Sequence, residues 1–139
     1  MTIQEIESAI IDEFACYEEW LDKYAYIIEL GKECPPIDEK DKTESNLIRG
    51  CQSRVWLSCE HRDGLLWFRA DSDAVITKGI ISLLIRAHNG QTPHDILNAD
   101  LQFIDQIGLK EHLSPTRSNG LTSMVKQMKM YALAYSTMA

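Results

Sequence analysis

Apolar positions in the first third of the chain recur at helical spacing. Ile3, Ile6, Ile10 and Phe14 share one stripe, and Thr2 followed by Glu5 forms a capping-box pattern, so a helix begins at Ile3. A second amphipathic stretch runs from about Glu18 through Leu21, Tyr24, Ile27, Ile28 and Leu30. Gly31 is placed to follow it as the C′ residue, and Pro35–Pro36 prevent continuation. Lys32–Asn46 is charged and nearly without apolar content, the pattern of a long surface loop. From Leu47 the period changes. Arg54–Glu60 and Leu65–Ala70 alternate, and Asp63-Gly64 between them is a two-residue hairpin signal. A type I′ turn there sets Leu57 opposite Ala70 and Cys59 opposite Phe68. Val55, Leu57, Cys59, Leu66, Phe68 and Ala70 then face the helices, while Trp56, Ser58, Glu60, Trp67 and Arg69 form a mixed, half-wet face.

Asp71-Ser72-Asp73 offers N-caps for a helix from about Ala74 to His88, ended by Asn89-Gly90. Its apolar residues wrap much of the circumference, which predicts the most buried helix. Thr92-Pro93 with Asp95 reads as N-cap, N1 proline and first-turn acid of a short helix to about Asn98. Asp100 opens another short turn through Phe103, Ile104 and Ile107. Ser114–Gly120 reads as a polar turn segment before a last helix carrying Leu121, Met124, Val125, Met128, Tyr131 and Tyr135 along one stripe. No repeat or low-complexity tract interrupts this order, so residues 1–139 read as one domain of α+β class, a small antiparallel sheet packed against helices.

Composition narrows the function classes. The 139 residues are 45% apolar and 25% charged, an ordinary globular balance, and 14 Lys and Arg against 21 Asp and Glu leave a net charge of −7. Nucleic acid calls for clustered cations, so it is a poor partner for this chain. The longest apolar run, Ile80–Ile85, is broken by Ser82 and is too short to cross a bilayer. The acidic, amphipathic start lacks the pattern of a secretory signal, which makes the cytoplasm the expected location and free thiols the expected state of the cysteines.

Four cysteines, Cys16, Cys34, Cys51 and Cys59, stand at irregular spacings with no C-x-x-C and no Cys/His pair at zinc-ligand spacing, so no structural metal is expected. Cys51 differs from the rest in its setting, Arg49-Gly50-Cys51-Gln52-Ser53-Arg54. Glycine allows unusual backbone angles at a loop tip, and nearby cations favour the thiolate, the form that attacks sulfur or carbon. In an extended segment Arg49 projects with Cys51 and Arg54 opposite, which makes Arg49 the expected neighbour. The local pattern leaves a reactive thiol and a small buried apolar residue equally open. Cys59 belongs to the apolar strand face, Cys16 reads as partly buried at a helix junction, and Cys34 reads as exposed in the charged loop. The histidines His61, His88, His94 and His112 carry no catalytic signature; His88 suits a helix C-terminal dipole as a cation. Arg117 reads as a surface charge or an anion-binding group, and the Met124–Met128 stripe as core.

Three blocks together resemble a known family. Gly50-Cys51-Gln52-Ser53-Arg54-Val55-Trp56, then Asp71-Ser72-Asp73-Ala74 with Lys78-Gly79, then Leu113-Ser-Pro-Thr-Arg-Ser-Asn-Gly-Leu121 are similar to the signature blocks of the SufE family, including its CsdE-like branch. The segment Trp20–Gly31 resembles that family's second helix, and only Lys32–Thr43 lacks a counterpart. The resemblance implies a fold like that of the U-type iron–sulfur scaffolds, with a short third strand near Asn46–Ile48. It implies a sulfur acceptor of iron–sulfur cluster assembly, carrying a persulfide on Cys51, rather than an enzyme in its own right. Arg49, Gly50, Gln52, Arg117 and Asn119 are then supporting residues. No cofactor is implied. The implied partners are a pyridoxal-phosphate cysteine desulfurase, SufS- or CsdA-like, which the carrier also stimulates, and a cluster scaffold complex; a homodimer is compatible with this role, and neither nucleic acid nor membrane is called for. Two other classes follow from the residues: a scaffold that binds iron itself, which needs several ligands in one pocket, and a cysteine-dependent hydrolase, which needs a nearby histidine. A sheltered carrier predicts that Cys51 is mostly buried at rest under apolar neighbours.

Overall fold

The computed structural model describes residues 1–137. Helix α1 (Ile3–Phe14) opens with the expected capping box, in which the Thr2 hydroxyl accepts from the Glu5 N–H and the Glu5 carboxylate accepts from the Thr2 N–H. Helix α2 (Trp20–Gly31) ends at Lys32, so Gly31 is helical rather than a left-handed cap. Its lack of a side chain serves packing instead: a Cβ at Gly31 would lie 3.0 Å from the backbone nitrogen of Gly79 on α3 (Val75–His88). A Cβ on Gly79 would in turn collide with the Ile27 carbonyl oxygen and come within 2.6 Å of the Ile27 Cγ2. The two backbones therefore touch across α2 and α3.

Strands β1 (Val55–Arg62) and β2 (Leu65–Ser72) form an antiparallel hairpin in the expected register, Leu57 opposite Ala70 and Cys59 opposite Phe68. The turn carries Asp63 at φ 55° and Gly64 at φ 78°, both left-handed, as a type I′ turn demands. Val55, Leu57, Leu66, Phe68 and Ala70 are buried against the helices and Cys59 is half-buried, while Lys42 stacks over Trp56 and Arg62 over Trp67 on the wetter face. The third strand reduces to one isolated bridge, Leu47 with Trp56, in which the Ile48 N–H donates to the Val55 carbonyl at 2.8 Å. Other groups complete the sheet's edges. On β2 the N–H groups of Leu66, Phe68 and Ala70 donate to the Gln91 carbonyl, the Asn89 side chain and the Pro35 carbonyl. On β1 the hydroxyls of Tyr131 and Tyr135 donate to the carbonyls of Leu57 and Cys59.

Several local expectations change. The charged loop is anchored by buried Cys34 and Ile37, because Pro36 bridges to Ala70 and draws the segment onto the sheet. Asp71, Ser72 and Asp73 do not cap α3, whose N-cap is Ala74 with no side-chain bond. Asp71 instead pairs with Lys42 at 2.7 Å and Lys78 at 3.3 Å, while Ser72 and Asp73 bind the backbone of Arg54. Cys16 is exposed rather than partly buried. After α4 (Pro93–Leu97), capped by Thr92 as expected, come two single turns, α5 (Phe103–Gln106) and α6 (Leu109–His112). The final helix α7 (Pro115–Ser136) begins six residues before Leu121. The Ser114 hydroxyl accepts from the Arg117 N–H and Pro115 sits in the first turn, the same start signal as at Thr92-Pro93.

His88 also departs from expectation. It is fully buried, its Nδ1–H facing the Leu84 carbonyl at 2.8 Å, and its Nε2 has no partner. Burial outweighs the dipole and pushes its pKa down to about 4. The folded state therefore holds a neutral ring while the unfolded chain takes up a proton near pH 6.5, so stability present at neutral pH is lost as pH falls from about 6.5 towards 4. The full loss is about 3 kcal/mol. Denaturant melts at pH 7 and pH 4.5 check this, with a His88→Leu variant expected to lose less between the two.

Candidate functional site

Cys51 lies at the tip of a short loop whose ends are pinned together. The Ile48–Val55 bond closes the base, and Arg54 is tied on both backbone groups, its N–H to the Asp73 carboxylate at 3.1 Å and its carbonyl to the Ser72 hydroxyl at 2.8 Å. Gly50 turns the chain at φ 94°, in left-handed space where side chains are strained, and a Cβ there would sit 2.5 Å from the Ser123 Oγ on α7. The backbone angle is what calls for glycine, while a Cβ there would also make the Ser123 hydroxyl turn away.

The Cys51 side chain leans onto α7. Its S–H donates to the Gly120 carbonyl at 3.6 Å, and a Cβ on Gly120 would lie 3.3 Å from the sulfur. Beside it is a small cavity of about 70 Å³ floored by Ile80 and Met124, with Gln52, Thr77, Thr116 and Arg117 around it. One water needs about 10–15 Å³ of such space, so one further sulfur atom fits. The thiol is half-buried, a weaker shelter than expected, and burial pushes its pKa up with no cation offsetting the shift. At rest it is a protonated thiol.

Of the residues expected at the site, Gln52 and Arg117 line this cavity; Gly50 shapes the loop; Arg49 and Asn119 are exposed and line no part of it. The pairing of Arg49 with Cys51 does not form, because the chain turns at Gly50 instead of running extended. Thr77, Ile80, Thr116 and Met124 escaped sequence reading, as did Tyr24, whose hydroxyl accepts from the Arg117 guanidinium at 3.2 Å. A usable signal existed. Once α7 starts at Ser114-Pro115, Arg117, Gly120 and Met124 fall on one helical face.

The other thiols are set apart. Burial pushes Cys34 up to about 11 against the Ala70 carbonyl, and Cys59 up to about 12 beside the Trp67 backbone. Among the described residues no three His, Cys, Asp or Glu side chains gather as a metal site, and no helix is long and apolar enough to cross a membrane.

Residues 8–132 match the family model described as SufE: Fe-S metabolism associated domain. The chain belongs to the SufE family. It is 41% identical over 128 residues to an uncharacterized SufE-like protein of Rhizobium meliloti (strain 1021), covering 88% of this chain and 91% of that one. The solution structure of a hypothetical protein from Thermus thermophilus shares the fold, with a TM-score of 0.79 at 19% identity over 95% of this chain and 96% of that one. The SufE assignment places the protein in iron–sulfur metabolism.

A labelling experiment reads the state of this SufE thiol directly. With iodoacetamide at pH 7, exposed Cys16 is expected to react first and Cys51 more slowly than in the unfolded chain, its rate still climbing above pH 8.5 because burial has raised its pKa. Peptide mapping of timed quenches checks both. Labelling of native Cys51 at the unfolded rate contradicts the resting shelter.

Proposed function

We propose that this protein is a sulfur carrier for iron–sulfur cluster assembly, taking sulfur from a cysteine desulfurase onto Cys51 and handing it to a cluster scaffold complex. The observation that carries the reading is the Cys51 thiol at a loop tip beside a cavity with room for one more sulfur. Family membership agrees with it. The donor is a pyridoxal-phosphate enzyme, SufS- or CsdA-like, holding a persulfide on its own cysteine. The Cys51 thiolate attacks the outer sulfur; the donor S–S bond breaks and its electron pair leaves on the donor cysteine. The outer sulfur is the more acidic site, so its proton passes to the donor thiolate, and Cys51 is left as a persulfide anion. No net oxidation occurs, and the emptied donor is free for another turnover, which is how the carrier stimulates it.

Thiol exchange depends on thiolate fraction and access, and the resting thiol is short of both. Docking therefore has to draw the loop out of its cavity, where the thiol regains an ordinary acidity. Leu21, 80% exposed on α2, and Val75, 65% exposed at the start of α3, offer apolar surface on the elements that also supply Tyr24 and Thr77.

The test is a mass measurement. Incubated with a cysteine desulfurase and free cysteine, the intact protein is expected to gain one sulfur, removed by dithiothreitol and mapped to the Cys51 peptide. No gain, or a gain on another cysteine, overturns the reading.

A further inference from the structure

We infer that Arg117, held in place by the Tyr24 hydroxyl, is the counter-ion of the outer sulfur when Cys51 carries a persulfide in its resting cavity. This rests on the carrier reading above and adds to it a charge-specific role for two residues, with Tyr24 as a positioning residue. A persulfide is more acidic than the thiol it forms from, so at neutral pH the loaded side chain carries a negative charge that an apolar floor of Ile80 and Met124 disfavours. Among the side chains lining the cavity, which come from the Cys51 loop, α3 and α7, Arg117 is the one permanent charge. Arg49 and Arg54 on the loop's flanks and Asp73 at its base do not line it.

Placement distinguishes the empty from the loaded carrier. The empty thiol points its S–H at the Gly120 carbonyl, a contact that only the protonated form makes, and no cation favours its ionisation. Arg117 stands three residues nearer the start of α7 than Gly120, about 4.5 Å along the helix axis. A second sulfur extends the side chain from the carbonyl into the cavity that Arg117 lines. The first turn of α7 adds its positive end on the same side. Left to itself an exposed arginine samples many rotamers; the bond from its guanidinium to the Tyr24 hydroxyl on α2, 3.2 Å long, fixes it in the cavity wall. The site thus keeps the empty carrier neutral and the loaded carrier anionic.

The experiment is run in a Cys16→Ser background that removes the exposed thiol, and loads Cys51 with inorganic polysulfide. The Cys51 thiolate takes a sulfur, a polysulfide S–S bond breaks and the shortened polysulfide leaves with its electron pair. The one added sulfur is mapped to the Cys51 peptide by mass. The near-ultraviolet absorbance of the persulfide anion is then titrated in wild type, Arg117→Gln, Arg117→Lys and Tyr24→Phe, each checked for folding by circular dichroism. An opposite charge at contact range lowers a pKa by about 1–3 units, so Arg117→Gln is expected to raise the persulfide midpoint by about one unit or more. Tyr24→Phe should raise it by less, and Arg117→Lys should recover part of the wild-type value. The pH profile of alkylation of the unloaded thiol is expected to stay the same in all four. Equal persulfide midpoints in wild type and Arg117→Gln overturn the counter-ion role while leaving the carrier intact. A Tyr24→Phe midpoint equal to wild type removes Tyr24 from it. Failure of Cys51 to take up sulfur from polysulfide overturns this inference and leaves the carrier reading to the desulfurase test above, whereas loading by polysulfide but not by desulfurase overturns the carrier reading.

Discussion

A Cys51→Ala variant is expected to acquire no dithiothreitol-labile sulfur from a desulfurase, with at least a hundredfold loss of carrier-dependent stimulation, although the chain retains three other thiols. The reason is that none of the three combines access, a small sheltering cavity and a place at a loop tip. Cys34 is buried against the Ala70 carbonyl and pushed up to about 11, so it offers almost no thiolate at neutral pH. Cys59 is half-buried and lines an open pocket of about 530 Å³. It is pushed up to about 12, however, and fixed inside β1 with its own carbonyl bound by Tyr135, so it offers neither thiolate nor a loop that can be drawn out. Cys16 is exposed just past the end of α1, so a sulfur arriving there would meet water and small thiols at once. Intact mass and sulfide release, measured with and without the variant, check the loss. A variant that still stimulates as well as wild type would show that one of these thiols does the work.

Replacing Gly79 by Ala is expected to cost the fold as much as truncating a core side chain. The added methyl meets the carbonyl oxygen and Cγ2 of Ile27, so the clash is largely with backbone and cannot be relieved by a rotamer change. Either α2 moves away from α3, which loosens the contact between the two helices, or the strain stays. We expect a loss of about 3 kcal/mol or more. For a domain of this size that lowers the melting temperature by roughly 10 °C. Gly31→Ala, whose Cβ would meet Gly79 at 3.0 Å, should fall in the same direction by less. Thermal unfolding by circular dichroism separates the two. Because α2 also carries Tyr24, any surviving Gly79→Ala protein should show a weakened hold on Arg117.

Much of this was legible along the chain because it depends on short-range chemistry. Asp63-Gly64 accepts left-handed angles, and that alone set the register of eight paired residues on each strand. The capping box at Thr2 and the Thr92-Pro93 start are likewise local. What escaped depends on contacts between distant segments. Burial of Cys34 follows from Pro36 meeting Ala70, and neutrality of His88 from being enclosed at the end of the most buried helix. The use of Gly31 as a contact needs Gly79, far along the chain, to be known. The start of α7 is a different case. Ser114-Pro115 repeats the Thr92-Pro93 pattern, but the polar run after it masks the helix until Leu121. Misplacing that start also hid the cavity, since Thr116 and Arg117 come from the misread turn.

The tyrosines near the end of α7 have a consequence for how the molecule meets its own copies. A bare two-stranded ribbon invites strand-by-strand stacking into aggregates, because each margin displays unpaired backbone groups. Here Tyr131 and Tyr135 occupy carbonyls on one margin, while Pro35, Asn89 and Gln91 occupy amides on the other. Self-association by strand pairing at these margins is thereby disfavoured. The helix that shelters the sulfur at its start thus protects the solubility of the ribbon at its end.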